Sequence, residues 1–262
     1  MNIAVCIKQV PGTTKVEVDE KTGVLKRDGI DSKMNPYDLY GLETALRIRE
    51  KKGGKVSVIS MGPPQAMEII REAYAMGADE GILLSDRKFA GSDVLATSYA
   101  LSQGIKKSGE FDLYICGKQT TDGDTAQVGA EVAECLKIPH VSYVKELIEI
   151  NDDYIVVKMD MAETVEIAKV KFPCLITVEK DVFQPRLPSY KLKTATKDRN
   201  IKVYSLSDFE DRDEKKYGLS GSPTQVERIF PPAINENKEI WSGESEELSN
   251  RLAAKLKEMK FI

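Results

Sequence analysis

The strongest constraint on this chain is a hydrophobic rhythm that switches period several times between Ile3 and Leu136. Short apolar runs of strand length alternate with longer amphipathic segments. Ile3 to Gln9 reads as a buried strand, and Val16 to Arg27 as a β-hairpin turning at Lys21-Thr22-Gly23. After Asn35-Pro36, the side chains of Leu39, Leu42, Ala45, Leu46 and Ile48 fall mostly on one helical face, and Gly53-Gly54 ends the segment. Val56 to Met61 is the next strand. Gly62-Pro63-Pro64 then opens a helix ending at Met76-Gly77, since proline is tolerated in a first turn. Ile82 to Leu84 is a strand, Ser92 to Lys107 a helix, Leu113 to Cys116 a strand, and a further helix runs to about Leu136. Such alternation predicts an α/β fold, a doubly wound parallel sheet with helices on both faces. Ligands of such sheets sit beyond the carboxyl ends of the strands. Here those ends are the loops Gln9–Thr14, Met61–Pro64, Asp86–Asp93 and Gly117–Thr125.

Beyond residue 140 the pattern becomes β-rich, with Asn151-Asp152-Asp153 as a hairpin turn and Phe172 to Val178 returning to the main sheet. Glu179 to Ser222 is charged and irregular, and reads as a poor core segment. Glu244 to Lys260 reads as a charged helix with Leu248, Leu252, Ala253 and Leu256 on one side. The expected organisation is therefore an α/β domain over 1–185 and an extended C-terminal arm over 186–262.

Charge excludes some functions. Lys+Arg number 38 against Asp+Glu 42, which offers no basic surface for nucleic acid. No apolar run reaches the length of a membrane span, and no signal peptide is read at the start, so the expected location is cytoplasmic. The cysteines Cys6, Cys116, Cys135 and Cys174 form no C-x-x-C pair, and no metal site is expected. His140 is the single histidine. It heads an apolar run beside Pro139, so neither a catalytic triad nor any other catalytic residue is assigned.

The most informative segment is Cys116-Gly-Lys-Gln-Thr-Thr-Asp122-Gly123-Asp124-Thr125-Ala126-Gln127-Val128-Gly129, a loop between a strand and a helix. Asp124 is placed to cap the helix, with Gln127 reaching back in a capping box. The N–H groups of Thr125, Ala126 and Gln127, with the helix dipole, then suit a phosphate. Gly123 lets the backbone approach closely. A capped helix with no ligand explains the same residues, and the loop is neither a P-loop nor a G-x-G-x-x-G. Two more patches lie at the same sheet edge. Asn35-Pro36-Tyr37-Asp38 either reads an adenine or ribose edge or is an ordinary Asn-Pro turn. Asp93 and Thr97, four apart on one helical face, either bind ligand hydroxyls or cap and decorate a helix.

Together these strings resemble the small (beta) subunit of electron-transferring flavoproteins. The matching runs are Val5-Cys-Ile-Lys8, Gln9-Val-Pro11, Met34-Asn-Pro36, Ser60-Met-Gly-Pro63, Met76-Gly-Ala-Asp79, Gly117-Lys-Gln119, Asp124-Thr-Ala-Gln-Val-Gly129, Pro173-Cys-Leu-Ile-Thr177 and Pro185-Arg186. They keep the family's order across nearly the whole chain. The resemblance implies a doubly wound, adenine nucleotide alpha hydrolase-like domain paired with a larger alpha subunit that carries FAD. It places nucleotide contacts on Cys6, Asn35, Pro36, Tyr37, Asp38, Met61 and Asp122 to Gly129, with Asp93 and Thr97 near a flavin.

Ordinary members hold AMP, and electron-bifurcating members hold a complete FAD. Ordinary members carry a further acidic residue where this chain has Gly123, and a carboxylate there would repel the second phosphate of a dinucleotide. FAD is therefore favoured, with AMP as the alternative. The implied reaction takes a hydride from NADH. One electron goes to ferredoxin or flavodoxin, and the other goes through the large-subunit FAD to a flavin-dependent dehydrogenase. Two departures stand out. Met161-Ala-Glu-Thr164 replaces the family's acidic-Gly-Gly turn. Leu187-Pro-Ser-Tyr190-Lys-Leu192 replaces the apolar recognition loop, with Tyr190 or Leu192 as the anchor. The dehydrogenase is accordingly left as acyl-CoA, enoyl-CoA or lactate type. Rival readings are a universal-stress-type nucleotide sensor, expected as a colourless homodimer, and an ATP pyrophosphatase. The latter's S-G-G-x-D-S loop is missing at Lys8-Gln-Val-Pro-Gly12.

Overall fold

In the computed structural model the described residues are 1–12, 32–227 and 238–262. The hairpin expected over Val16–Arg27 lies outside them. The first two stretches belong to one compact unit and the last to a second.

The main unit is built on one sheet. Its strands are β1 (Asn2–Cys6), β4 (Lys55–Met61), β5 (Glu80–Leu84), β6 (Leu113–Gly117), β7 (His140–Ile150), β8 (Tyr154–Asp160), β9 (Val165–Lys171), β10 (Cys174–Val178) and β11 (Lys202–Tyr204). A separate antiparallel pair joins β2 (Gln9–Pro11) to β3 (Ser32–Met34). The order across the main sheet is β11-β5-β4-β1-β6-β10-β7-β8-β9. Every pair from β11 to β7 is parallel, and the hairpin strands β8 and β9 extend the sheet antiparallel. From β1 the chain steps outward to β4 and β5, then returns to β6 on the other side. The crevice between β1 and β6 is thus the switch point of the topology.

Side-chain alternation explains the double winding. Ile3, Val5, Val56, Val58, Leu113 and Ile115 pack with α1 (Pro36–Lys52) and α2 (Met67–Met76). Ala4, Ile59, Tyr114 and Cys116 point the other way, toward α3 (Val94–Ser108) and α4 (Val128–Leu136). Apolar residues on both faces are what a parallel sheet requires.

The Asn151 turn forms as expected, its side chain accepting from the N–H groups of Asp153 and Tyr154 at 2.9 and 2.8 Å. The expectation for Glu179–Ser222 is corrected. Leu206, Phe209 and Tyr217 are buried core residues, and Phe89, Phe209 and Tyr217 stack together. Within this stretch β11 adds an edge strand beside β5, and α5 (Tyr190–Ala195) forms a short helix. The second unit holds α6 (Ser245–Glu258), none of whose residues is buried. There Arg251 stacks over Trp241 at 4.4 Å.

Candidate functional site

The carboxyl ends of β1 and β6 bring most of the expected site residues together. Cys6 ends β1 and is the register partner of Cys116 on β6. Asn35 stands just before α1 and is fully buried, yet it does not cap its own helix. Its amide donates to the Gln119 carbonyl at 2.8 Å and accepts from the Thr121 N–H at 3.3 Å. Pro36 is the first residue of α1, where its missing N–H costs nothing. Asp38, 5% exposed, accepts from the Lys8 N–H at 2.7 Å. Burial raises the Asp38 carboxyl to about 7, more than the hydrogen bonds from Asn35, Lys8 and Gly117 and the Lys8 charge lower it.

Gly117 permits this close approach. A Cβ there would stand 2.4 Å from Asp38 Oδ1 and 2.7 Å from the Tyr37 carbonyl carbon. Gly129 works similarly, since a Cβ would stand 2.5 Å from Thr177 Cγ2. It is buried in the first turn of α4, against the ends of β6 and β10.

The loop itself departs from the expected capping box. Helix α4 begins at Val128, Gln127 occupies the capping position, and no side chain caps it. Asp124 and Ala126 have φ of 53° and 55°, left-handed values that exclude Asp124 from a helical N-cap. Asp124 instead accepts from the Gln119 side chain. The donors foreseen from the sequence are nevertheless free. None of the backbone N–H groups from Thr125 to Ala130 finds an acceptor among the described residues. Asp122 pairs with Lys8 Nζ at 2.7 Å. Its burial raises the carboxyl pKa, but the hydrogen bond and charge of Lys8, with a Thr120 hydrogen bond, leave it lowered overall. A Cβ on Gly123 would meet one atom, Thr120 Oγ1, at a close 3.3 Å.

Residues expected near a flavin lie close by. Asp93 caps α3 by accepting from the Ala96 N–H, and its second oxygen accepts from the Thr224 N–H and hydroxyl at 3.0 and 2.8 Å. Thr97 follows in the first turn of α3. That turn neighbours α4, where Ser98 donates to the Val128 carbonyl at 3.5 Å. Glu131 Oε2 is buried with no partner among the described residues, and burial raises that carboxyl. Met61 ends β4, two strands from β6, and is half-buried. It makes no polar contact with the loop among the described residues.

Sequence reasoning left Lys8, Gly117, Gln119 and Thr177 out of the site. All four stood in the recognised motifs, and the strand-end position of each was the available signal. The segment expected to recognise a partner is exposed at two of its apolar residues. Leu187 and Tyr190 are 88% and 85% exposed and Leu192 37%. Its base is held by Arg186, whose guanidinium reaches Glu43 and Glu50 at 2.7 and 2.6 Å.

A switch-point crevice with a free-donor loop suits an anionic ligand. Residues 22–209 match the electron transfer flavoprotein domain. The chain belongs to the electron transfer flavoprotein family. It is 47% identical over 257 residues to electron transfer flavoprotein subunit beta of Thermoanaerobacterium thermosaccharolyticum, covering 98% of each chain. It is 44% identical over 264 residues to the caffeyl-CoA reductase-Etf complex subunit CarD of Acetobacterium woodii, covering 100% of each. It is 39% identical to protein FixA of Azorhizobium caulinodans, covering 91% of this chain and 87% of that one. An electron-transfer role and an alpha-subunit partner come with this beta-subunit membership. Among the described residues no helix is long and apolar enough to cross a membrane, and no cluster of His, Cys, Asp and Glu suits a metal.

Proposed function

We propose that this electron transfer flavoprotein chain is the small subunit of an electron-bifurcating complex and holds FAD beyond the carboxyl ends of β1 and β6. The observation that carries this reading is the run of unengaged N–H groups from Thr125 to Ala130 beside Gly123. Such donors suit a pyrophosphate, and no acidic side chain occupies position 123. When bound, FAD supplies the chemistry of accepting a hydride from NADH and releasing its electrons separately. The proposed acceptors would be ferredoxin or flavodoxin and, by way of the large-subunit FAD, a partner dehydrogenase. The chain's own residues bind and position. Asn35 ties the loop to α1, Asp38 holds the ends of β1 and β6, and Lys8 balances the Asp122 charge beside the phosphates. Residues 1–185 hold the nucleotide, and 186–262 dock on partners. The exposed Leu187 and Tyr190 suit an apolar pocket on a flavin-dependent dehydrogenase. The caffeyl-CoA reductase name of one relative favours an acyl-CoA or enoyl-CoA type over a lactate type. The cytoplasm is the proposed location.

Gly123→Asp tests the phosphate placement. The new side chain meets only the Thr120 hydroxyl, which shifts by a few tenths of an ångström, so the melting temperature should stay near that of the parent. A carboxylate about 4 Å from a phosphate costs about 1 to 4 kcal/mol, depending on local screening. FAD affinity of the small subunit should fall at least about fivefold, and its FAD content with it. Unchanged flavin content would refute the placement.

A further inference from the structure

Two of the thiols are placed unlike the others. Cys6 and Cys116 are register partners on adjacent parallel strands, and both face α3 and α4. Neighbouring strands run about 4.8 Å apart. That lies inside the Cα separation of about 4.4 to 6.8 Å that a disulfide spans. The neighbouring Cys6 thiol, ahead of burial, holds the Cys116 thiol well above its usual range. Cys6 is half-buried and Cys116 buried, so Cys6 is the member a small oxidant reaches. Cys174 is fully buried, and burial pushes its thiol up to about 12.

The pair also supports the loop. A Cβ on Gly129 would stand 2.5 Å from Thr177 Cγ2, 3.4 Å from Cys116 Cβ and 3.6 Å from Cys116 Sγ, so the first turn of α4 packs closely over Thr177 and Cys116. Drawing the Cys116 sulfur toward Cys6 changes one side of this packing beneath the free N–H groups.

We propose that Cys6 and Cys116 are a dithiol that hydrogen peroxide closes to a disulfide, loosening the nucleotide cradle at the start of α4. The loosening rests on the nucleotide reading above; the dithiol does not. Peroxide transfers one oxygen to the Cys6 sulfur, giving a sulfenic acid and water. The Cys116 sulfur then displaces that oxygen as a second water, and the S–S bond forms. In sum two thiols and one peroxide give one disulfide and two waters.

The test uses the full chain with any co-purifying large subunit, freed of nucleotide and exposed to peroxide. Peptide mass spectrometry should find a single linked pair, Cys6 with Cys116, and a free Cys174. AMP and FAD should bind the oxidised chain about tenfold more weakly, in the range typical of coupled sites. Dithiothreitol should restore both. Cys116→Ser should form no linked pair. Cys6 driven to sulfinic acid with Cys116 still free would overturn the dithiol. A linked pair with undiminished binding of both nucleotides would overturn the loosening. A reduced chain that binds neither nucleotide would overturn the nucleotide reading and the loosening, leaving the peptide map to judge the dithiol.

Discussion

The start of α1 and the start of α4 stand on the same edge of the sheet, yet they are finished in opposite ways. At α1 nearly all the polar groups are spent, the Tyr37 N–H alone finding no acceptor among the described residues. Pro36 has no N–H, Asp38 and Leu39 donate to the Asn35 carbonyl, and the Asn35 and Asp38 side chains bind neighbouring backbone. At α4 the N–H groups are unspent and no side chain caps the helix. A buried end that leaves its donors unsatisfied is costly, whereas an exposed end can hold them for water or for an anion. The first region is a fixed floor and the second a cradle, and the Asn35–Thr121 contact holds the cradle over the floor.

The largest expected effect concerns the floor. The Asp38 carboxyl lies at about 7 in the folded chain, against an ordinary 3.8. A raised folded value means that its contribution to stability is full below pH 4 and is lost as pH rises through 7. The loss is up to roughly 4 kcal/mol. Urea unfolding across that window should show Asp38→Asn gaining on the parent between pH 4 and 7, with no further gain above. A parent and variant that track each other would remove Asp38 as a strained brace. Next, Gly117→Ala forces a methyl against Asp38 and Tyr37. It should cost about 1 to 3 kcal/mol by thermal melting, whether or not nucleotide is present. A neutral change would mean that the floor is not tightly closed.

Asn35→Ala cuts the link between the two regions. About 1 to 2 kcal/mol of stability should go, and nucleotide affinity should fall with it. Loss of stability with affinity intact would show the cradle to be independent of the floor. The smallest stability effect belongs to Lys8→Gln. The Lys8–Asp122 pair is partly exposed, so melting should shift by less than about 1 kcal/mol. Nucleotide affinity should still weaken, because the Asp122 charge then faces the phosphates unbalanced. Isothermal titration at low and high salt should show that difference shrinking as salt rises.

The same contrast marks what was legible in the sequence. The alternating periods around Ile3, Val56, Ile82 and Leu113 specify strands buried on both faces, and they placed the doubly wound sheet correctly. The start of α1 was readable because Asn-Pro fixes a helix boundary by local sterics. The start of α4 was misjudged because two local options compete for Asp124. Its side chain suits a cap, but the Gln119 side chain takes it, and a left-handed backbone carries the chain on to Val128. Phe209 and Tyr217 were hidden for another reason. Their burial comes from stacking on Phe89, far away in sequence, within a stretch whose charge suggested exposure. Lys8 and Gly117 gain their roles only when β1 and β6 lie side by side.

The most direct test of the central claim is the number and kind of nucleotides released by the intact complex of this chain with its large subunit. Two FAD per heterodimer and no AMP is the expected result. One FAD with one AMP would contradict the dinucleotide assigned to the Thr125–Ala130 cradle.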